Sequence, residues 1–226
     1  MEILPGVHWL KAGYANVYLC VEDEGLTLID SGTPRQAEKI LSAVRDLGRA
    51  PSELRRILIT HADFDHAGSA AELHRRTGAT VVAAPLTLDY LRRGRASKHV
   101  GGPLASVGDL FNRYKLLPEG ALAPAVAGSV LPVLGGLQVL ATPGHTPDHH
   151  AFYSPSRGVL FAGDALSTGS GGLGIAHALI TADSGAARRS ARQLLRLTPA
   201  VFACGHGDPL LSHSDEDLMR LRQALD

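Results

Sequence analysis

The chain has 226 residues, of which 45% are hydrophobic and 19% charged, a composition typical of a globular protein with a substantial core. Lys plus Arg and Asp plus Glu both number 22, so no net charge favours nucleic acid or an acidic membrane as a partner. We therefore expect a single domain over residues 1–226.

The first part of the chain is predicted to be rich in β-strands. Short apolar runs separated by glycine and acidic residues predict strands over 7–10, 16–21 and 26–29. The third strand ends at Asp30. Apolar residues at helical spacing then predict a helix over 34–47, which begins at Pro34 and stops at Gly48.

A strand predicted over 56–60 is followed directly by four side chains able to bind a metal ion. They are His61, Asp63, Asp65 and His66. Imidazole and carboxylate together suit Zn, Fe or Mn rather than Ca or Mg. A simpler interpretation is that Asp65 only caps a helix over 67–77, but a cap explains neither histidine. The loop therefore predicts a metal site.

The middle of the chain is predicted to be the least regular part. A strand over 79–83 is followed by an irregular insert at about 86–130, which mixes basic, apolar, glycine and proline residues. The insert is either a solvated connection or a cover over the substrate. In the second case 92–118 forms part of a pocket wall, where Arg113 and Lys115 would bind an anionic substrate.

The last part of the chain predicts three strands, each followed by a residue that could bind a metal ion. The strands over 137–142, 158–162 and 200–203 lead to His145, Asp164 and His206. Two helices are also predicted, over 183–197 with Asp183 or Ser184 as cap, and over 214–225. Ligand sites in α/β sheets collect at the carboxyl ends of strands, so we expect these side chains to meet Asp30 and His61.

Four motifs carry a resemblance to a known family: His61-Ala-Asp63-Phe-Asp65-His66, Thr142-Pro-Gly-His145-Thr-Pro147, Gly163-Asp164 and Gly205-His206-Gly207. In this order they resemble the metallo-β-lactamase-fold hydrolase superfamily, and within it the glyoxalase II-like branch. The resemblance covers nearly the whole chain. It implies an α/β fold, a four-layer αββα sandwich of two mixed β-sheets with outer helices, with a dinuclear metal site at one edge.

The resemblance also implies the ligands of two divalent metal ions, with zinc expected first. The first ion would be bound by His61, His145 and the position of Asp63. The second would be bound by Asp65, His66 and His206, and Asp164 would bridge the two. Asp65 would in addition orient a water and handle its proton.

Two further residues are expected to support the ligands. His149, by resemblance, would hydrogen-bond to the site. Asp30 is either a partner of a ligand histidine or an aspartate of a structural turn.

Asp63 departs from the family pattern, which normally has a histidine at this position. A carboxylate here is similar to the flavodiiron proteins, whose motif has glutamate, although this chain contains no flavodoxin module. A hard oxygen ligand shifts the expected metal at the first site towards Fe or Mn.

Two close divalent ions lower the pKa of a shared water towards neutrality, so a metal-bridged hydroxide would attack the substrate. We expect a metal-dependent hydrolase of an ester, thioester, lactone or related bond of a small molecule. A thioester suits the branch, but the chain is short for the glutathione-binding addition of a full glyoxalase II. A lactone substrate lacks one expected residue, because lactonases carry a tyrosine shortly after the bridging aspartate and this chain has Ser167 there. The alternatives are an iron-dependent redox or oxygen-handling protein and a non-catalytic metal-binding scaffold.

Targeting and redox signals favour a cytoplasmic protein. The N-terminus lacks the basic and apolar regions of a signal peptide, and prolines interrupt the most apolar stretch, 121–140. Cys20 and Cys204 lie in apolar runs without a spaced motif, which favours reduced core thiols over a disulfide. We expect no nucleic-acid and no membrane partner.

Overall fold

The computed structural model of the chain describes residues 1–96, 114–169 and 172–225. The first of its two large sheets has seven strands, in spatial order β1 (Glu2–Leu4), β2 (Val7–Ala12), β3 (Ala15–Glu22), β4 (Gly25–Ile29), β5 (Leu54–Ile59), β6 (Thr80–Ala83) and β7 (Leu122–Pro124). Its strands are antiparallel from β1 to β4 and parallel from β4 to β7, so the sheet is mixed.

The second sheet is also mixed and has five strands. In chain order the elements are β8 (Val130–Leu131), β9 (Leu137–Ala141), β10 (His150–Ser154), β11 (Val159–Gly163), a separate ribbon of β12 (Ser167–Gly169) with β13 (Gly172–Gly174), and β14 (Val201–Cys204). In the sheet β14 pairs parallel to β11, and the remaining pairs are antiparallel.

Helices cover the outer faces of both sheets. They are α1 (Ala37–Asp46), α2 (Phe64–Ala67), α3 (Ala70–Thr77), α4 (Pro85–Arg93), α5 (Ser184–Leu195) and α6 (Asp215–Leu225). In α1 the buried residues recur at the helical spacing of one face, namely Ala37, Ile40, Leu41 and Val44. Each large aliphatic side chain buried in this way contributes about 1.5–3 kcal/mol.

Three apolar clusters define four layers. One lies between the first sheet and its helices and includes Leu28, Ile40, Leu73 and Leu91. The second lies between the two sheets and includes Tyr18, Leu58, Phe152 and Phe161. The third lies between the second sheet and α5 with α6 and includes Leu160, Leu194, Phe202 and Leu218. The predicted αββα sandwich is therefore confirmed.

The helix predicted over 67–77 begins at Ala70 as α3, after the separate short helix α2, and the alternative interpretation of Asp65 as its cap is wrong. Asp63 occupies the cap position of α2, and Asp65 lies in its first turn. The helix breaks at Gly68 and Ser69 because tertiary contacts fix this turn. A Cβ at Gly68 would come within 2.5 Å of Pro34, and the Ser69 hydroxyl donates to the carbonyl of Thr33.

The helix predicted over 34–47 begins three residues late, at Ala37. Pro34 and Arg35 form a turn before it, and Arg35 has a φ of 72°, which no helix allows. The helix predicted over 183–197 is confirmed as α5. Asp183 is its cap, since its carboxylate accepts from the amide of Ala186. The C-terminal helix is confirmed as α6.

The predicted insert at 86–130 is more regular than expected at both ends. Helix α4 begins before it and occupies its start, and β7 pairs with β6 as an edge strand of the first sheet. Strand β10 was not predicted at all.

No helix in the described part of the chain is long and apolar enough to span a membrane. Cys20 and Cys204 are buried free thiols, as predicted.

Candidate metal centre

Strand ends from both sheets meet at one edge of the sandwich. Asp30 and His61 follow β4 and β5 of the first sheet directly. His145, Asp164 and His206 follow β9, β11 and β14 of the second. The structure therefore brings together the side chains that the sequence placed after five separate strands.

The first group of potential ligands consists of His61, His145 and Asp164, and all three are buried. One ligand atom from each lies within 4.8 Å of the others, which is close enough for a single ion. The distance from His145 Nε2 to Asp164 Oδ2 is 3.5 Å. Two imidazoles and a carboxylate form a ligand set that suits zinc or another first-row transition metal.

The second group consists of Asp65, His66 and His206. His206 Nε2 lies 3.4 Å from Asp65 Oδ2 and 3.4 Å from His66 Nε2. Short α2 presents Asp65 and His66 from neighbouring positions, and the loop after β14 presents His206. The three ligand atoms again lie within 4.8 Å of one another.

Asp164 lies between the two groups. Its Oδ1 is 3.3 Å from His66 Nε2, while its Oδ2 is 3.5 Å from His145 Nε2. Oδ2 is also 3.2 Å from His206 Nε2. A carboxylate that contacts imidazoles of both groups has the geometry needed to bridge two ions.

Asp63 lies beside the first group. Its Oδ2 is 3.4 Å from His145 Nε2 and 3.6 Å from His61 Nε2. The carboxylate therefore faces both imidazoles of this group.

The tautomers of two histidines are fixed by their Nδ1 atoms. His206 Nδ1 lies 3.1 Å from the carbonyl oxygen of Tyr14, which can only accept a hydrogen bond. His61 Nδ1 lies 3.0 Å from the hydroxyl of Thr60, which donates to the carboxylate of Asp30. Both Nδ1 atoms thus carry the hydrogen, which leaves Nε2 as the ligand atom. His61 Nε2 is buried and has no hydrogen-bond partner among the described residues, as a metal ligand would.

The carboxylates and imidazoles of the centre also form an electrostatic environment that favours a bound cation. Burial raises the pKa of Asp164, but the imidazoles of His66 and His206 outweigh it and hold that pKa well below its usual range. Burial lowers the pKa of His66, yet the surrounding carboxylates, Asp164 first, raise it well above its usual range. The cluster therefore stabilises positive charge at the Nε2 atoms, where divalent ions would replace these protons.

Asp30 contacts His66 of the second group directly and reaches His61 of the first group through Thr60. Its Oδ2 lies 2.8 Å from His66 Nδ1 and accepts from the Thr60 hydroxyl at 2.9 Å. Its Oδ1 accepts from the Thr60 amide at 2.8 Å. Asp30 adopts a φ of 59°, a left-handed conformation that carboxylate and amide residues tolerate better than most. The structure thus favours the interpretation of Asp30 as a partner of ligand histidines over that of a simple turn residue.

His149 holds the backbone of Asp164 and belongs to neither ligand group. Its Nε2 accepts from the backbone amide of Asp164 at 2.9 Å, and its Nδ1 lies 2.7 Å from the Thr142 hydroxyl. Burial, with the neighbouring His61 and His145, lowers the pKa of His149 well below its usual range. The ring is therefore neutral, with its hydrogen on Nδ1, which donates to Thr142, and an accepting Nε2.

Close backbone packing at the centre requires glycine at two positions. A Cβ at Gly205 would overlap Asp164 Oδ1 and lie 2.6 Å from His66 Cε1. A Cβ at Gly163 would lie 2.6 Å from His149 Nε2. Glycine at these positions lets the second sheet approach the ligands from α2.

Sequence reasoning missed two residues that hold the metal loop at Ala62. The amide of Ala62 donates to Asp148 Oδ2 at 3.0 Å, and its carbonyl accepts from the Tyr114 hydroxyl at 3.2 Å. Asp148 is buried and accepts a second hydrogen bond from Thr87 at 3.0 Å. These partners are 86 and 52 residues from Ala62 in sequence, so no local pattern could identify them.

Of the two predicted substrate-binding residues, Arg113 lies outside the described residues. Lys115 is exposed and follows Tyr114 at a cavity beside the metal loop.

The αββα fold and this centre define a class of metal-binding hydrolase-like proteins. Residues 10–206 match the family model of the Metallo-beta-lactamase superfamily, so the chain belongs to that superfamily. Its relatives include the probable metallo-hydrolase YflN of Bacillus subtilis (strain 168), 28% identical over 92% of this chain and 86% of YflN.

A second relative and a solved structure also support membership of this superfamily. Hydroxyacylglutathione hydrolase GloC of Haemophilus influenzae is 27% identical over 75% of this chain and 73% of GloC. A B3 metallo-β-lactamase of known structure, described as having an active-site glutamic acid, matches with a TM-score of 0.75 and 25% identity, over 99% of this chain and 87% of that chain. The predicted superfamily and its glyoxalase II-like relatives are thereby confirmed.

Proposed function

We propose that this protein is a cytoplasmic hydrolase that uses two divalent metal ions to cleave an ester, thioester or lactone bond of a small molecule. The superfamily and the metallo-hydrolase and hydroxyacylglutathione hydrolase relatives support hydrolysis. Zinc is the first candidate for both ions, because imidazole and carboxylate ligands suit it.

The position of Asp164 is the observation that carries the proposal. Its two carboxylate oxygens face histidines of different ligand groups, at 3.3 Å from His66 and 3.5 Å from His145. One ion in each group, with Asp164 between them, accounts for this arrangement. Seven ligand-type residues are also too many for a single tetrahedral ion.

The metal ions would supply Lewis acidity and lower the pKa of a water between them. The side chains of the protein would supply orientation and proton transfer. Asp65 Oδ2 is 3.4 Å from His206 Nε2, and 16% of the Asp65 side chain is exposed. A carboxylate at the solvent side of the centre can orient the attacking water and accept its proton. Asp63 and Asp164 would balance much of the charge of the ions.

A substrate panel tests the proposal directly. The metal-loaded protein is assayed with thioesters, lactones, simple esters, phosphodiesters and β-lactams, and we expect turnover of at least one acyl class. Asp65→Asn should lower kcat by about 100-fold or more, since general base catalysis contributes about that much. Asp89→Asn, on the exposed face of α4, is the matched control and should leave kcat unchanged.

Metal content must be measured for each variant, so that loss of an ion is distinguished from loss of a base. Turnover that is equal in Asp65→Asn and wild type, at equal metal content, would remove Asp65 from the mechanism. Metal binding without turnover of any substrate would instead support the non-catalytic scaffold.

A second candidate is an iron-dependent redox or oxygen-handling protein. The observation that favours it is the carboxylate of Asp63, which lies 3.4 Å from His145 and 3.6 Å from His61 and offers a hard oxygen ligand. Elemental analysis of protein purified without added metal separates the two candidates. Iron as the dominant ion would favour the redox function, and zinc would favour the hydrolase.

A further inference from the structure

A cavity of about 460 Å³ lies beside the metal loop and is not part of the ligand groups. The described residues that line it are Pro34, Arg35, Gly68, Glu72, Tyr114 and Lys115. This volume falls within the range of small-molecule binding sites. The walls come from the turn before α1, from α3 and the turn before it, and from the part of the insert that contains Tyr114 and Lys115.

Two lining residues connect the cavity to the metal loop. The Tyr114 hydroxyl donates to the carbonyl of Ala62, which lies between His61 and Asp63. Gly68 follows the ligand-type residue His66 by two positions. The lining of the cavity is therefore attached to the metal loop through Tyr114 and adjoins the end of α2 at Gly68.

The cavity has an excess of positive charge. Within residues 1–96, 114–169 and 172–225, neither Arg35 nor Lys115 has a carboxylate within ion-pair distance. Glu72 is the acidic residue of the lining, and its Oε1 lies 3.9 Å from the guanidinium of Arg76. Among the described residues of the lining, two cations without an ion-pair partner thus outnumber the carboxylate of Glu72.

The backbone at Arg35 is held in an unfavourable conformation. A φ of 72° costs a residue with a long side chain about 1 kcal/mol or more, and glycine would adopt it without strain. The turn is fixed on both sides, because the Thr33 amide donates to the carbonyl of Ala12 and the Gln36 amide donates to the Ser69 hydroxyl. The fold therefore presents Arg35 at the cavity at an energetic cost.

We infer that Arg35 and Lys115 form an anion-binding subsite, and that the substrate carries a carboxylate or phosphate group several atoms from its reacting acyl centre. The inference rests on the proposed function only for the position of that acyl centre. Lys115 contributes a point charge, and Arg35 can bind two oxygens of one anionic group. The Tyr114 hydroxyl already donates to the carbonyl of Ala62, so this residue of the lining is held to the metal loop.

Binding measurements test the subsite without requiring any turnover. We would titrate the metal-loaded protein by calorimetry with α,ω-dicarboxylates of four to eight carbons and with the monoamide of each. One carboxylate of every compound can bind the metal ions, so the comparison isolates the second charge. We expect at least one dicarboxylate to bind about 10-fold tighter than its monoamide. A parallel series of ω-phosphonocarboxylates distinguishes a phosphate preference from a carboxylate preference.

The variant is Arg35→Gly with Lys115→Ala, because glycine accepts the φ of residue 35 and the fold is retained. In this variant the dicarboxylate and its monoamide should bind equally. Lys39→Ala with Arg189→Ala removes the same charge from exposed positions away from the cavity and should keep the 10-fold difference. Arg35→Lys with Lys115 intact should keep most of the difference in affinity between the dicarboxylate and its monoamide.

Two outcomes would overturn the inference. One is that no dicarboxylate or phosphonocarboxylate binds wild type more tightly than its singly charged analogue. The other is an equal preference in wild type and in the Arg35→Gly, Lys115→Ala variant. Neither outcome affects the proposed hydrolase, which the substrate panel tests separately. If a substrate is found, the same variant should raise KM for its anionic form about 10-fold and leave kcat and the neutral analogue unchanged.

Discussion

Asp30 Oδ2 lies 2.8 Å from His66 Nδ1, and both side chains are buried. The same carboxylate contacts Thr60, whose hydroxyl lies 3.0 Å from His61 Nδ1. One residue at the end of β4 thus orients a histidine of each ligand group. Partners of this kind fix the ring and increase its basicity, so their loss weakens metal binding.

Replacing Asp30 should lower the metal affinity of both groups. We expect Asp30→Asn, which tolerates the φ of 59°, to weaken binding about 10-fold, and Asp30→Ala to weaken it more. Competition titrations against a chromophoric chelator measure both affinities. Wild-type affinity for both ions in Asp30→Ala would show that Asp30 serves the turn alone.

The stoichiometry of the centre is predicted to be two ions per chain. Elemental analysis gives the number, and anomalous scattering from crystals locates each ion. We expect one ion at His61 and His145 and one at His66 and His206, with Asp164 between them. A single ion, with His66 and His206 both free of metal, would exclude the dinuclear mechanism.

Asp63 is predicted to be a ligand of the first ion. Asp63→Ala should release one ion and keep the other, because the second group does not depend on this carboxylate. Asp63→His should restore binding and raise the preference for zinc over manganese, since nitrogen replaces a hard oxygen. Competition titrations with both ions measure these effects. If both variants bind the same two metals with wild-type affinity, Asp63 is no ligand.

Asp148 is predicted to hold the metal loop through Ala62. Asp148→Ala should lower the free energy of unfolding by about 1–3 kcal/mol, because it leaves the buried Ala62 amide without its acceptor. Urea denaturation measures this change. Asp148→Asn retains an acceptor oxygen and should recover most of the stability. Equal destabilisation by Asn and Ala would show that the charge, and not the hydrogen bond to Ala62, matters.

Gly205 is predicted to tolerate no side chain. In Gly205→Ala the new Cβ would overlap Asp164 and crowd His66, so binding of the second ion should fall at least 10-fold. Gly120→Ala is the matched control, since a Cβ there meets no atom within 4 Å. Metal titration and thermal unfolding of both variants test the prediction. Unchanged metal affinity in Gly205→Ala would mean that the backbone moves without disturbing the ligands.

The candidate ligands could be predicted because each follows an apolar strand or lies in one short loop. Asp164 is an example, since the strand before it is buried throughout and consists of apolar residues and glycine. The strand before His61 contains two arginines, but it ends in three consecutive buried aliphatic residues. Such strands leave a local signal in the sequence. Parallel packing then brings their carboxyl ends to one edge whatever the intervening loops contain.

The exact course of α2 and α3 could not be predicted from the local sequence. The break at Gly68 depends on Pro34 and Thr33, which lie more than 30 residues earlier in the chain. The period of the apolar residues favoured one continuous helix, and tertiary contacts overrode it. The strained turn at Arg35 depends on the same long-range contacts, so the local sequence could not predict it either.

The sequence by itself determined most strands and helices, the candidate ligands and their association with strand ends, because periodicity and residue type are local properties. The αββα fold class followed from the resemblance of its motifs to a known superfamily. The tertiary structure alone decided that Asp164 lies between the two groups and that Asp30 serves a histidine in each. It also brought Asp148 and Tyr114 to Ala62 and Arg35 to Lys115. These relationships join residues far apart in the chain through hydrogen bonds and packing, and such contacts exist only once both sheets are in place.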